Sequence, residues 1–178
     1  MITSILVMPF FLLAVLGFGL SVVAHACAVF GLPQPLGSAV MSLHGGVFVI
    51  WIPAILVSNR MVAGYPRKDF WKVALRGCPV WMRWGTMVVF AYAIINFVFF
   101  VGHDVSRQQK KPAGAAPPDV VRGFSGHWMA FYAAGTSLLY SGMVVARHDP
   151  ARRCKNGHVV SPSSNFCDTC GADLVKEV

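Results

Sequence analysis

The chain has 178 residues, of which 56% are hydrophobic and only 12% are charged, and its formal net charge is +8. A charged fraction about half that of ordinary soluble domains excludes a water-exposed globular fold. The apolar residues occur in long runs rather than at amphipathic intervals, which predicts helices embedded in lipid. In a membrane protein, basic residues held at the cytoplasmic surface account for such a positive balance.

Four apolar stretches lie within residues 1–147, and each is near or above the about 20 residues that cross a bilayer as helix. We predict spans at residues 5–30, 36–57, 84–101 and 124–146. The fold class predicted is an all-α membrane protein with an antiparallel four-helix transmembrane bundle. The first stretch could instead be a signal peptide, because Ala26-Cys27-Ala28 resembles a cleavage site. The start lacks a basic residue and the apolar run is too long, which favours a span.

Three connections join the predicted spans. Gly31 to Leu36 contains two prolines and predicts a tight turn, whereas residues 106–121 predict an external loop. In residues 66–78, basic residues recur every four positions and tryptophans stand nearby. This pattern predicts a helix lying in the membrane interface, with a solvated loop as the alternative.

Basic residues are distributed unevenly over the two sides of this topology. Eleven of the 15 lie in the second connection or the tail: Arg60, Arg67, Lys68, Lys72, Arg76, Arg83, Arg147, Arg152, Arg153, Lys155 and Lys176. The other four lie between the last two spans: Arg107, Lys110, Lys111 and Arg122. Both termini are therefore predicted to be cytoplasmic, in a bacterial inner membrane.

Small residues recur at helical spacing along three of the spans. Since lipid gives no hydrophobic drive for helix association, we expect these seams to mark the faces where helices meet. They are Ala14, Gly17, Ser21, Ala24 and Ala28 in the first span; Ser38, Ser42, Gly45 and Gly46 in the second; and Gly126, Ala130, Ala133, Ser137 and Ser141 in the fourth.

The tail, residues 148–178, contains three cysteines and a histidine at metal-ligand spacing. Cys154 precedes His158 by four residues, and Cys167 and Cys170 form a pair separated by two residues and followed by Gly171. Four protein ligands leave no open position for water, so the pattern predicts a structural zinc site. Thiolates persist where thiols stay reduced, which agrees with a cytosolic tail. Cys27 and Cys78 stand apart, so there is no disulfide framework.

This tail resembles the short zinc-ribbon modules appended to bacterial membrane and regulatory proteins. The resemblance covers only about the last 25 residues, and it implies that Cys154, His158, Cys167 and Cys170 bind zinc in a small folded unit. Zinc ribbons also bind nucleic acid, but few basic residues and one aromatic, Phe166, accompany this one, so lipid and topology better explain its charge.

Four further histidines fall on the opposite side of the predicted topology: His25, His44, His103 and His127. Ionisable groups within spans are costly and usually face the bundle interior. Imidazoles on facing helices can ligate a transition metal or haem. They can equally be structural, with His25 and His44 hydrogen-bonding each other, Ser21, Ser42 or a backbone carbonyl.

No soluble-type hydrolase or nucleotide-binding motif is present, so catalysis is not predicted. We expect a small accessory protein anchored by its bundle, in contact with the lipid bilayer and with a protein partner or a second copy. The alternative is a haem- or metal-binding redox or transport subunit that uses the four histidines.

Overall fold

A computed structural model describes residues 2–63, 65–103, 118–148, 153–158, 160 and 164–174. These residues form an all-helical fold, as predicted, followed by the turns of the tail. The helices are α1 (Ile2–Phe30), α2 (Ser42–Val62), α3 (Phe70–Ala74), α4 (Val80–His103) and α5 (Pro118–His148), with 3₁₀ turns at Gly37–Met41 and Arg67–Asp69.

Four helices are long and apolar enough to cross a membrane: Leu6–Phe30, Gly37–Val62, Val80–Val101 and Val120–Ala146. The second extends past the predicted end at residue 57, because no helix breaker follows Val57 before Ala63. The third begins earlier than predicted, directly after Pro79, and the fourth helix begins at Pro118, a residue suited to a first helical turn. The predicted loop at 106–121 therefore ends before Pro118, and the rest of it lies outside the described residues.

Helix α5 packs against α1, α2 and α4, and it is the most enclosed of the four long helices. In its most apolar stretch of 18 residues 61% of the residues are buried, against 17% to 28% in the corresponding stretches of the other three. Its predicted seam is buried throughout, from Gly126 to Ser141. The bundle is thus arranged around α5, with the outer faces of the other long helices free to meet lipid.

Two ends of the bundle are distinguished here by their connections. The turn end holds the connection between α1 and α2, and the basic end holds residues 63–79. At the turn end Gly31 takes a φ of 66°, and Leu32 N–H donates to the Cys27 carbonyl over 2.8 Å. This left-handed glycine cap ends α1 and confirms the predicted tight turn.

At the basic end, α3 is shorter than the helix predicted over residues 66–78. It stops at Ala74, because the chain then turns to pack against α5 and buries Val73, Ala74, Leu75 and Cys78. Gly77 N–H donates to Ser141 Oγ over 3.0 Å, and Cys78 Sγ lies 3.1 Å from the Ser137 carbonyl. The segment is therefore fixed to the bundle by one face, rather than lying free on its surface.

Candidate metal centre and buried histidines

The four predicted ligands of the tail come together in one cluster. The Sγ atoms of Cys154, Cys167 and Cys170 and a ring nitrogen of His158 all lie within 4.8 Å of one another. Cys154 and Cys167 are buried, His158 is half-buried and Cys170 is exposed. This group can hold a metal ion.

Two tight turns place these side chains. In the first, Gly157 N–H donates to the Cys154 carbonyl over 2.8 Å and Gly157 takes a φ of 81°. In the second, Gly171 N–H donates to the Cys167 carbonyl over 2.7 Å and Gly171 takes a φ of 67°. Because other residues rarely adopt a positive φ, each glycine allows its chain segment to fold back and present two ligands from one turn.

The spacing of the ligand atoms fits a tetrahedral ion. Zinc–sulfur bonds of about 2.3 Å and zinc–nitrogen bonds of about 2.05 Å place two sulfurs about 3.8 Å apart, and a sulfur about 3.5 Å from the nitrogen. Cys154 Sγ lies 3.7 Å from Cys170 Sγ and 3.5 Å from His158 Nδ1. Cys167 Sγ lies 3.8 Å from the same nitrogen. A donor set of three thiols and one imidazole suits zinc rather than calcium or magnesium.

The surroundings of Cys170 favour its thiolate form, although the side chain is exposed. The backbone N–H of Ala172 and the side-chain amide of Asn156 lower the pKa of its thiol to about 6. Asn156 Nδ2 donates to Cys170 Sγ over 3.3 Å. The thiolate is the form of cysteine that binds a metal.

A small apolar core lies under the cluster and consists of Cys154, Val160, Cys167, Ala172 and Leu174. Phe166 is not part of it, and its side chain is 58% exposed. Phe166 instead pairs through its backbone with Asp173 in an antiparallel bridge, which turns its side chain away from the core. So few buried residues give this unit little stability of its own, and a metal ion held by the cluster would add to it.

His25 is buried between three helices, with both ring nitrogens engaged. Its Nδ1 lies 2.8 Å from Ser125 Oγ on α5, and its Nε2 lies 2.6 Å from the Tyr92 hydroxyl on α4. Two of the partners suggested from the sequence are engaged elsewhere, because Ser21 donates to the Gly17 carbonyl and Ser42 donates to the Ala39 carbonyl. Neither nitrogen of His25 has a lone pair available to a metal without breaking one of these contacts.

His44 lies in an aromatic group on another side of α5. Trp128 Nε1–H donates to His44 Nδ1 over 3.1 Å, and the rings of His44 and His127 lie 6.2 Å apart at 23°. Because Nδ1 of the neutral ring is the acceptor, its Nε2 carries the proton and cannot ligate a metal. Phe124 and Phe131 pack edge-on or tilted against the two imidazoles.

Of the four histidines singled out in the sequence, the structure brings His44 and His127 into ring contact. Among the described interactions none joins the rings of His25 and His44, and the side chain of His103 lies outside the described residues. Among the residues that the structure describes, the only group of three or more His, Cys, Asp or Glu side chains suited to a metal is the one in the tail. Tyr92, Ser125 and Trp128 complete the histidine environments, and no sequence motif identified them.

Comparison with protein-family models, with curated proteins and with solved structures gave no match for this chain.

Proposed function

We propose that this protein is a small accessory subunit of a bacterial inner membrane, in which the helical bundle anchors a cytosolic zinc ribbon. The ribbon, residues 148–178, binds a protein partner or a second copy of the chain, and the bundle, residues 1–147, holds it at the membrane surface. The zinc acts structurally, because four protein ligands leave no coordination position for a substrate or water.

The observation that carries this proposal is the convergence of three thiols and one imidazole at the distances of a tetrahedral site. The concentration of basic residues in the second connection and the tail supports a cytosolic location, where the thiols remain reduced. The alternative of a haem- or metal-binding redox or transport subunit has less support. The hydrogen bonds of His25 and His44 occupy ring nitrogens that such a site would need.

The test is the metal content and colour of the full-length protein purified in mild detergent. We expect one zinc ion per chain and no absorption in the Soret region. Cys170→Ser should lose the zinc and render the tail protease-sensitive while the bundle stays helical, because the small core alone cannot order the tail. The matched control is Cys27→Ser, a thiol of α1 outside the cluster, which should retain the full zinc content.

Native protein without bound metal would refute the zinc ribbon. A Soret band that disappears in His44→Ala would instead establish the redox alternative.

The binding role is tested separately, by measuring the mass of the detergent-solubilised complex with light scattering. The wild type should carry a second protein component or a second copy that Cys170→Ser has lost, whereas a monomer in both would contradict it.

A further inference from the structure

The connection at the basic end carries charge and tryptophan on one surface while its other surface is packed on the bundle. Arg67, Lys68 and Lys72 are exposed there, as is Arg60 in the last turn of α2. We call these four residues the basic face. Between Arg60 and Arg83 the only acidic residue is Asp69, which is half-buried.

Two other arginines of this region are used to hold the connection in shape. Arg83 donates from Nε to the Cys78 carbonyl over 2.9 Å and from Nη2 to the Arg76 carbonyl over 2.8 Å. Arg76 in turn donates to the Tyr65 hydroxyl over 3.0 Å, with its guanidinium 5.8 Å from the centre of that ring. The half-buried guanidiniums therefore stabilise the loop, whereas the basic face projects outward.

The packed surface gives the basic face a fixed position relative to the spans. Burial raises the pKa of the Cys78 thiol to about 11, so it stays protonated and can donate to the Ser137 carbonyl of α5. Ser137 and Ser141 lie within the fourth span, which ends at Ala146. The chain after α3 thus reaches back to the level of the last turns of α5, and residues 67–72 lie near the point where the spans end.

Exposed tryptophans accompany the basic face along the chain. Trp71 is 44% exposed, Trp81 is 75% exposed and Trp84 is 69% exposed. An indole combines an apolar body with a polar N–H, and such rings concentrate where acyl chains meet headgroups. Large exposed rings beside exposed cations are what a layer of anionic lipid would complement.

We propose that the basic face is a binding surface for anionic phospholipid, with Arg60, Arg67, Lys68 and Lys72 on the phosphates and Trp71, Trp81 and Trp84 at the acyl boundary. The ligand chemistry is a phosphodiester headgroup carrying a net negative charge on a lipid within the bilayer. The surface is independent of the zinc ribbon and of its partner. It collects anionic lipid around one end of the bundle in preference to zwitterionic lipid.

The test uses tryptophan fluorescence of the full-length protein in phosphatidylcholine vesicles that contain a small fixed fraction of brominated lipid. The bromines are placed near the carboxyl end of the acyl chains, so they quench indoles close to the headgroups. We expect brominated phosphatidylglycerol to quench wild-type protein more strongly than brominated phosphatidylcholine at equal mole fraction. Arg67→Gln/Lys68→Gln/Lys72→Gln should lower the preference for the anionic lipid by roughly fivefold or more.

A matched control removes three charges from the sequence between α4 and α5. Arg107→Gln/Lys110→Gln/Lys111→Gln changes the net charge equally and should leave the preference intact. Raising the salt should weaken the wild-type preference, because the screening length falls from about 10 Å at 0.1 M to about 3 Å at 1 M. Helix content and zinc content of both triple variants should match the wild type, which excludes misfolding as the cause.

Several outcomes would overturn the proposal. Equal quenching of the wild type by the two brominated lipids would show that no anionic lipid collects there. Loss of the preference when inorganic phosphate replaces chloride at equal ionic strength would assign the surface to free phosphate. Binding of random-sequence DNA that the basic-face variant loses, without any lipid preference in the wild type, would assign it to nucleic acid.

Discussion

His25 illustrates how hydrogen-bond direction determines the state of a buried side chain. Ser125 Oγ donates to the Arg122 carbonyl over 3.2 Å, so its oxygen accepts from His25 Nδ1–H. The other ring nitrogen then accepts from the Tyr92 hydroxyl. A neutral imidazole in one tautomer thus links α4, α1 and α5.

His25→Ala should destabilise the bundle by about 1–3 kcal/mol, because it removes the contacts to Ser125 and Tyr92 and leaves the buried Ser125 oxygen without its donor. Tyr92→Phe, which removes only one hydroxyl, should cost about 0.6 kcal/mol, typical of an interhelical hydrogen bond in a membrane. Thermal unfolding in detergent measures both. Zinc content should not change in either variant. An unchanged melting temperature in His25→Ala would show that the three-helix link contributes nothing to stability.

The ligands of the tail were predictable from the sequence, whereas the partners of the histidines were not. Cys154, His158, Cys167 and Cys170 lie within 17 residues of one another, and glycine-containing turns specify how they meet. The contact of His25 with Ser125 joins residues 100 positions apart. Such a contact depends on which helix occupies the centre of the bundle, and spacing within one span carries no information about that.

At the level of helices, glycines leave space into which large side chains of neighbouring helices pack. The Tyr132 ring of α5 lies against Gly17 of α1, and its hydroxyl donates to the Leu43 carbonyl over 2.9 Å beside Gly46 of α2. In the reverse direction, Gly135 and Gly142 of α5 receive Ile50 and Val57 of α2. Interdigitation of this kind explains why α5 is enclosed while remaining the least apolar span.

The predicted seams of α1 and α5 were correct, but that of α2 was correct only at Gly46, which lies against the Tyr132 hydroxyl. Ser38, Ser42 and Gly45 are exposed, and α2 instead buries Leu43, Val47, Ile50, Ala54 and Ser58. The physical reason is that a close approach needs small residues on only one of the two helices. Since α5 supplies the glycines, α2 can contribute large aliphatic side chains at the same interface.

Gly17→Ala should destabilise the bundle by about 1–3 kcal/mol, because the added methyl group would overlap the Tyr132 ring. Gly19→Ala in the same helix is the matched control. No atom lies within 4 Å of a Cβ at that position, so the change should be neutral or slightly stabilising. Chemical or thermal unfolding in micelles measures the difference. Tyr132→Leu should relieve the cost of Gly17→Ala, and equal effects at the two glycines would contradict this packing.

At the scale of the whole molecule, the basic residues divide the protein into two unlike ends. The basic end contains the last turns of α2 and α5 and the first turn of α4. It also contains the connection that carries Arg67, Lys68 and Lys72. At the turn end, α1 passes into α2 through a short proline-containing segment with no basic residue. Length and composition alone predicted the four crossings, because the apolar runs are continuous. The central position of α5 depends on the packing of glycines against Tyr132, Ile50 and Val57 of neighbouring helices. No single apolar run in the sequence reveals these pairs.

Both termini should report from the cytosol. The positive residues resist translocation, so the basic end and the tail should stay on the inner side while the turn end crosses. In a bacterial host, a fluorescent protein fused after Val178 should fluoresce, and alkaline phosphatase fused there should be inactive. Alkaline phosphatase inserted near Ala115 should be active, because that position follows α4 and precedes α5 in the sequence. Substituting Arg67, Lys68 and Lys72 with Gln should reduce the fraction of molecules in this orientation, whereas Lys110→Gln/Lys111→Gln should not. Reporters with the opposite pattern would place the ribbon outside the cytosol, where its thiols would be exposed to oxidation, and would thereby contradict the zinc-dependent role proposed for it.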